Sequence, residues 1–338
     1  MKKILVSIIL FFLIFLAFLT FILSTNGIKT KKFNNLISQK INENNNKIKL
    51  KLETIRFKLD LSEISLFLET ENPEIFYRDV TIPAKNIKVY IDFISLIRSE
   101  TKIKKINFVL NQIDINDLKK LSISLKPSNF TSFINNKIQE AKLDTQIEVY
   151  LDENNLFENF IARGLVSNLK TEIINGVLLE KTNFSFFADK SDILIKNFTG
   201  ITPLFEIQEG DLKMRLSPEI NLETNFKSII NYNANKKEYK NLLSKLDYLD
   251  YVTDLKADLN NSLSISFDKT YKINNYSYKN NGKITNARLD INSLNNFFFK
   301  KKIENINLID TEIKSNFNSS ANKNSIKFLG KYSVDKKN

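Results

Sequence analysis

Ile48-Lys49-Leu50-Lys51-Leu52-Glu53, followed after Thr54 by Ile55-Arg56-Phe57-Lys58-Leu59-Asp60-Leu61, reads as one long β-run. Ile48, Leu50 and Leu52 alternate with Lys49, Lys51 and Glu53. After Thr54 the phase slips by one, and Ile55, Phe57, Leu59 and Leu61 continue opposite Arg56, Lys58 and Asp60. Period two with charges on the second face describes a half-buried strand. A one-residue slip exchanges the faces unless an extra residue absorbs it, so the spacing predicts a β-bulge at Glu53-Thr54.

The same rhythm extends towards the C-terminus. A short strand is expected over 66–69, and Asn72-Pro73 turns the chain. Ile87, Val89, Ile91 and Phe93 alternate with polar residues, as do Ile106, Phe108 and Leu110, then Ile113 and Ile115, then Leu121, Ile123 and Leu125. Ser128 reads as an N-cap for a helix over 128–142, with Phe130, Phe133, Ile134 and Ile138 on one face. Ile147, Val149 and Leu151 return to alternation. Further strands are expected over 160–169, 184–186, 193–195, 204–207 and 212–216, separated by turn residues. A second amphipathic helix is predicted over 235–251. Strands resume over 255–267, 276–278, 284–291, 303–313 and 326–329, with helical turns at 93–97 and 294–299.

Towards the N-terminus, Phe33, Leu36, Ile37 and Ile41 have helical spacing, which predicts an amphipathic helix over 29–46. Before it stands an uncharged apolar run over 4–23, flanked by Lys2, Lys3, Lys29, Lys31 and Lys32. Roughly 20 residues at about 1.5 Å each span a hydrocarbon core of about 30 Å. A cleavable signal peptide is the competing reading, but its apolar region is normally shorter and ends in small residues. Ser24-Thr25-Asn26-Gly27 matches that ending poorly, so a retained anchor is expected. The organisation expected is therefore 1–28 as membrane anchor, 29–127 as a helix and β module, 128–232 as a central β module, and 233–338 as a helix plus a C-terminal β module.

Composition narrows the chemistry. The chain of 338 residues has a net charge of +12, but its lysines are spread along the whole length, without a dense cluster beside stacking aromatics, so no nucleic-acid partner is expected. Cys, His and Trp are absent. That removes the commonest general base, the usual zinc ligands, the thiol nucleophile and any Ser-His-Asp triad. Carboxylate groups such as Asp114 with Asp117, or Asp247, Asp250 and Asp254, read as solvated faces beside lysines. No catalytic, cofactor or metal site is expected, and the chain reads as a non-enzyme.

The order of features resembles the AsmA-like family of bacterial envelope proteins, with its YhdP and TamB relatives. The likeness is carried by the N-terminal apolar helix, the polar helix after it, the long strand from Ile48 to Leu61, and Phe76-Tyr77-Arg78-Asp79-Val80. Leu194-Ile195-Lys196-Asn197-Phe198-Thr199-Gly200 and Glu209-Gly210-Asp211-Leu212 resemble a pair of turns in the central region of YhdP-type members. The resemblance implies a long curved antiparallel β-sheet forming an apolar groove, anchored in the inner membrane and implicated in moving phospholipid towards the outer membrane. The chain is short for that pattern, so a complete bridge between membranes is not implied.

The fold class expected is mainly β: a single N-terminal transmembrane helix, then a long curved antiparallel sheet, groove-like, with a few amphipathic helices. Such a sheet must have its apolar face covered, by helices, by a second sheet or by acyl chains. The candidate lipid-facing residues are Ile55, Phe57, Leu59, Ile87, Val89, Ile91, Ile106, Phe108, Leu110, Ile147 and Val149. By periodicity alone, an ordinary sandwich core explains them equally well. The expected partner is membrane lipid through phospholipid acyl chains, with envelope proteins as further partners. The alternative function is a non-catalytic envelope scaffold. Counting Lys and Arg around the anchor favours a cytoplasmic C-terminal part. The Lys-Lys start of a short N-terminal anchor, in a chain enriched in Lys throughout, favours export to the periplasm, which is the expectation adopted.

Overall fold

The computed structural model describes residues 2–31, 34, 38, 48–63, 65–78, 80–92, 102–124, 127–154, 156–174, 177–233, 252–268, 272–290, 303–319 and 324–336. The chain opens with helix α1 (Lys2–Thr25). Within it Ile4–Thr25, 22 residues with a mean hydropathy of 3.1, is long and apolar enough to cross a membrane. Its hydroxyls are satisfied inside the helix: Thr20 donates to the Leu16 carbonyl, and Ser24 and Thr25 donate to that of Phe21. A helix that satisfies its own polar groups suits hydrocarbon surroundings.

There follow β1 (Ile28–Thr30), β2 (Ile48–Lys51), β3 (Ile55–Asp60), β4 (Ser65–Glu71), β5 (Glu74–Tyr77), β6 (Val80–Ile82), β7 (Ala84–Ile91), β8 (Ile103–Leu110), β9 (Ile113–Asp114), α2 (Ile115–Ser124) and α3 (Asn129–Asn136). After them come β10 (Ile138–Leu151), β11 (Phe157–Ile174), β12 (Val177–Asp189), β13 (Asp192–Ile201), β14 (Phe205–Arg215), β15 (Ile220–Asn233), β16 (Val252–Phe267), β17 (Ile273–Asp290), β18 (Ile303–Asn318) and β19 (Ser325–Lys336). The fold is mainly β. The large antiparallel sheet has the order β1-β3-β4-β7-β8-β10-β11-β12-β13-β14-β15-β16-β17-β18-β19, with β9 against β10, and a separate three-stranded sheet has the order β2-β5-β6. By contacts the chain divides into two compact units, Met1–Thr131 with Asp144–Arg163, and Ser132–Leu143 with Gly164–Asn338.

The first unit corrects three expectations. The run from Ile48 to Leu61 is not one bulged strand. The chain bends at Glu53 and changes sheet: β2 pairs with β5, whereas β3 pairs with β1 and β4. The phase slip is thus resolved by moving between sheets, which lets Leu50 and Ile55 both be buried. Asn34 ties the bend down, donating from Nδ2 to the carbonyls of Leu52 and Glu53 at 3.3 and 2.6 Å. Second, Leu121 and Ile123 lie in helix α2, not in a strand. Asp114 Oδ1 accepts from the Asn116 and Asp117 amides, an N-cap that starts the helix. Helical period sends Ile123 outward, 72% exposed, and turns Ile115 and Ser122 inward. Third, the helix expected over 128–142 ends at Asn136. Ser128 does cap it, accepting from the Thr131 amide at 3.1 Å, but the residues from Ile138 onward pair as β10. Of the helix expected over 29–46, Lys29 and Thr30 belong to β1, and most of the remainder lies outside the described residues. The helix over 235–251 and the turns at 93–97 and 294–299 also lie outside them.

The second unit is an antiparallel meander with long, regular pairings. Along β15, Leu222, Thr224, Phe226, Ser228, Ile230 and Tyr232 share one face, opposite Ile265, Leu263, Asn261, Leu259, Ala257 and Leu255 of β16. The alternate positions, such as Glu223, Asn225 and Lys227, are exposed. Ala257, Ile284 and Ala287 form the buried centre of this face, with Ile230, Leu255, Leu259, Leu308 and Ile313 against them.

A candidate apolar cavity in the first unit

Strand register assembles the site. Across β3, β4, β7, β8 and β10 one ladder runs Ile55, Thr70, Ile87, Phe108, Ile147, and the next runs Phe57, Leu68, Val89, Ile106, Val149. Directly opposed side chains on one face lie close enough to touch, so these ladders form a continuous apolar wall. The small sheet supplies the facing wall. Leu50 and Ile75 are buried against Ala84 and Ile87, with Leu52, Ile82, Val89, Ile106, Phe108 and Leu110 packed around them.

Between the walls lies a cavity of about 520 Å³. Of the residues singled out by periodicity, Ile55, Ile87, Val89, Ile106, Phe108, Leu110, Ile147 and Val149 line it together. Phe57, Leu59 and Ile91 do not. Phe57 stands opposite Ile28 and Leu68, Leu59 opposite Leu66, and Ile91 is buried beside a register shift between β7 and β8. Sequence reasoning missed Leu50, Leu52, Leu68, Ile75, Tyr77 and Ile82 as lining residues. The alternation of Leu50, Leu52 and Leu68 was visible, but which sheet each would join was not.

The wall carries one notable polar group. Thr70 is buried, and its Oγ1 finds no hydrogen-bond partner among the described residues. The second face of the same strands is different in kind. Glu69 Oε2 lies 2.8 Å from Lys58 Nζ, and Lys105 Nζ sits 4.4 Å from the centroid of the Tyr90 ring. Burial, above all, pushes the Tyr90 phenol up to about 12, and the carboxylates of Asp60 and Glu63 add to the effect. Burial likewise leads the rise of Tyr150 to about 12, helped by its hydrogen bond to Glu148. The Ser62 hydroxyl, donating to Asp60, holds that carboxyl below its usual range against the opposing effect of burial. The sheet therefore keeps charge and hydrocarbon on opposite sides.

The carboxylates considered for chemistry have structural uses here. Asp114 caps α2, and Asp117 meets Lys120 at 3.1 Å. Asp254 lies in β16, and Asp247 and Asp250 lie outside the described residues. Among the described residues no group of three or more acidic side chains is placed to hold a metal ion.

In the second unit a polar band crosses the half-buried face. Asn261 Nδ2 donates to Ser228 Oγ at 2.9 Å, Tyr278 donates to Asn261 Oδ1 at 2.7 Å, Asn280 Nδ2 donates to the Tyr278 oxygen at 3.2 Å, and Ser315 donates to Asn280 Oδ1 at 2.8 Å. Each member satisfies another, as buried polar groups must.

Comparison of the chain with protein-family models, with curated proteins and with solved structures finds no match.

Proposed function

We propose that this chain is a single-pass membrane protein of AsmA-like type that holds lipid acyl chains against the apolar face of its β-sheet, with the residues after the anchor on the periplasmic side. It acts as a binder or conductor of lipid between membranes, without catalysis. The observation that carries this reading is the cavity walled by Ile55, Ile87, Val89, Ile106 and Phe108 in a chain that begins with a membrane-length helix. A volume of about 520 Å³ holds roughly 17 methylene groups if each takes about the 30 Å³ of a water molecule. That is the size of one acyl chain, and each methylene buried contributes about 0.8 kcal/mol.

The test is photo-crosslinking in intact membranes. Cells expressing the full chain are fed a diazirine-bearing fatty acid, irradiated, and the adducts mapped by mass spectrometry. Adducts concentrated on β4, β7 and β8, and lost in Val89→Asp, are the expected result. Adducts on α1 alone, unchanged by Val89→Asp, would rule the reading out.

A scaffold function is the second reading. The observation favouring it is the exposed outer side of β19, an edge suited to protein rather than lipid.

A further inference from the structure

Strand β19 hydrogen-bonds to β18 along one side, and no described strand pairs with its other side. Its 12 residues are not blunted by shortness or by proline, the usual protections of an edge. Ile326, Phe328, Leu329 and Tyr332 are 51%, 52%, 74% and 72% exposed. Register against β18 places Ile326, Phe328, Tyr332 and Val334 on one face, opposite Ser315, Ile313, Leu308 and Ile306. Such an edge is a template for strand addition.

We propose that the added strand is β19 of a second copy of this chain, antiparallel, about a two-fold axis through Gly330. In that register Phe328 stands opposite Tyr332 of the second copy, and Ile326 opposite its Val334. Symmetry repeats both pairs, so four apolar pairs form on one face. Lys327 meets Ser333, Lys331 meets Leu329, and Asp335 meets Ser325. Lys327 also becomes a diagonal neighbour of the second copy's Asp335.

The charges select this register. Moving the axis to Leu329 sets Lys327 opposite Lys331, and moving it to Lys331 sets that lysine opposite itself. Like charges directly opposed across strands destabilise the pairing. The lysines that discourage other registers are thus harmless in this one. The proposal concerns association of the second unit and does not depend on lipid binding.

The natural chain has no cysteine, which makes the test direct. The full chain is purified in mild detergent, and Lys327→Cys with Ser333→Cys is oxidised. A disulfide-linked dimer is expected, because these positions face each other only across the axis. Lys327→Cys with Lys331→Cys is expected to stay uncrosslinked. Without added cysteines, light scattering is expected to show a dimer that Phe328→Asp converts to a monomer with unchanged circular dichroism. A monomer at every concentration overturns the proposal, as does equal crosslinking of both cysteine pairs or exclusive capture of a different protein.

Discussion

Leu50 belongs to the three-stranded sheet and Ile55 to the large one, yet both are buried, at 9% and 2% exposure, against one cavity. The bend at Glu53 brings them there. Truncating Ile55 to Ala should cost about 2–5 kcal/mol, the usual range for deleting a buried branched side chain. Leu50→Ala should fall in the same range. Because both truncations enlarge the same space, their combined effect should differ from the sum by about 0.5 kcal/mol or more. Chemical denaturation of the four proteins measures this. Strict additivity would mean that the two walls do not share a void.

Gly200 marks a tight approach in the second unit. A Cβ there would lie 2.6 Å from Thr182 Oγ1 and 2.8 Å from Leu179 Cδ1. Thr182 is fully buried, so it has little room to yield. Gly200→Ala should therefore destabilise by about 1–3 kcal/mol through overpacking. Adding Thr182→Ala should recover part of the loss by vacating the space. Thermal unfolding of the single and double variants decides, and a neutral Gly200→Ala would refute the contact.

Tyr90 gives the first unit an alkaline limit. Its phenol titrates near 12 when folded, against about 10 in an unfolded chain. Below pH 10 both states hold the proton and stability is unaffected. Between 10 and 12 the unfolded state loses its proton first, so stability falls as pH rises. Tyr150 has the same sign. Urea midpoints measured from pH 8 to 12 should be flat and then decline, and Tyr90→Phe should make the decline shallower.

Much of this was legible in the residues. Ile87-Lys88-Val89 and Ile106-Asn107-Phe108 alternate cleanly, and the faces they predict are the faces observed. Pairing was not legible, because the partner of a strand is a non-local choice. The run through Glu53 looked continuous since each half obeys period two, and only pairing with β5 or β4 separates them. Leu121, Ile123 and Leu125 alternate too, but three apolar positions are too few to separate period 2 from period 3.6. There the Asp114 cap was the stronger signal. In 138–143 helical and extended patterns fit alike, and the neighbouring strand decided. The cavity's second wall escaped for the same reason, since Ile75 and Tyr77 gain meaning only once β5 is set beside β2.

From β11 to β19 every strand lies beside its immediate predecessor in the chain. Closure of each hairpin needs no distant segment, so the entropy of bringing remote parts together is avoided throughout this unit. Growth can proceed one hairpin at a time, like courses of brick laid on the last. Length becomes modular, since removing or adding a hairpin disturbs only the junction it touches.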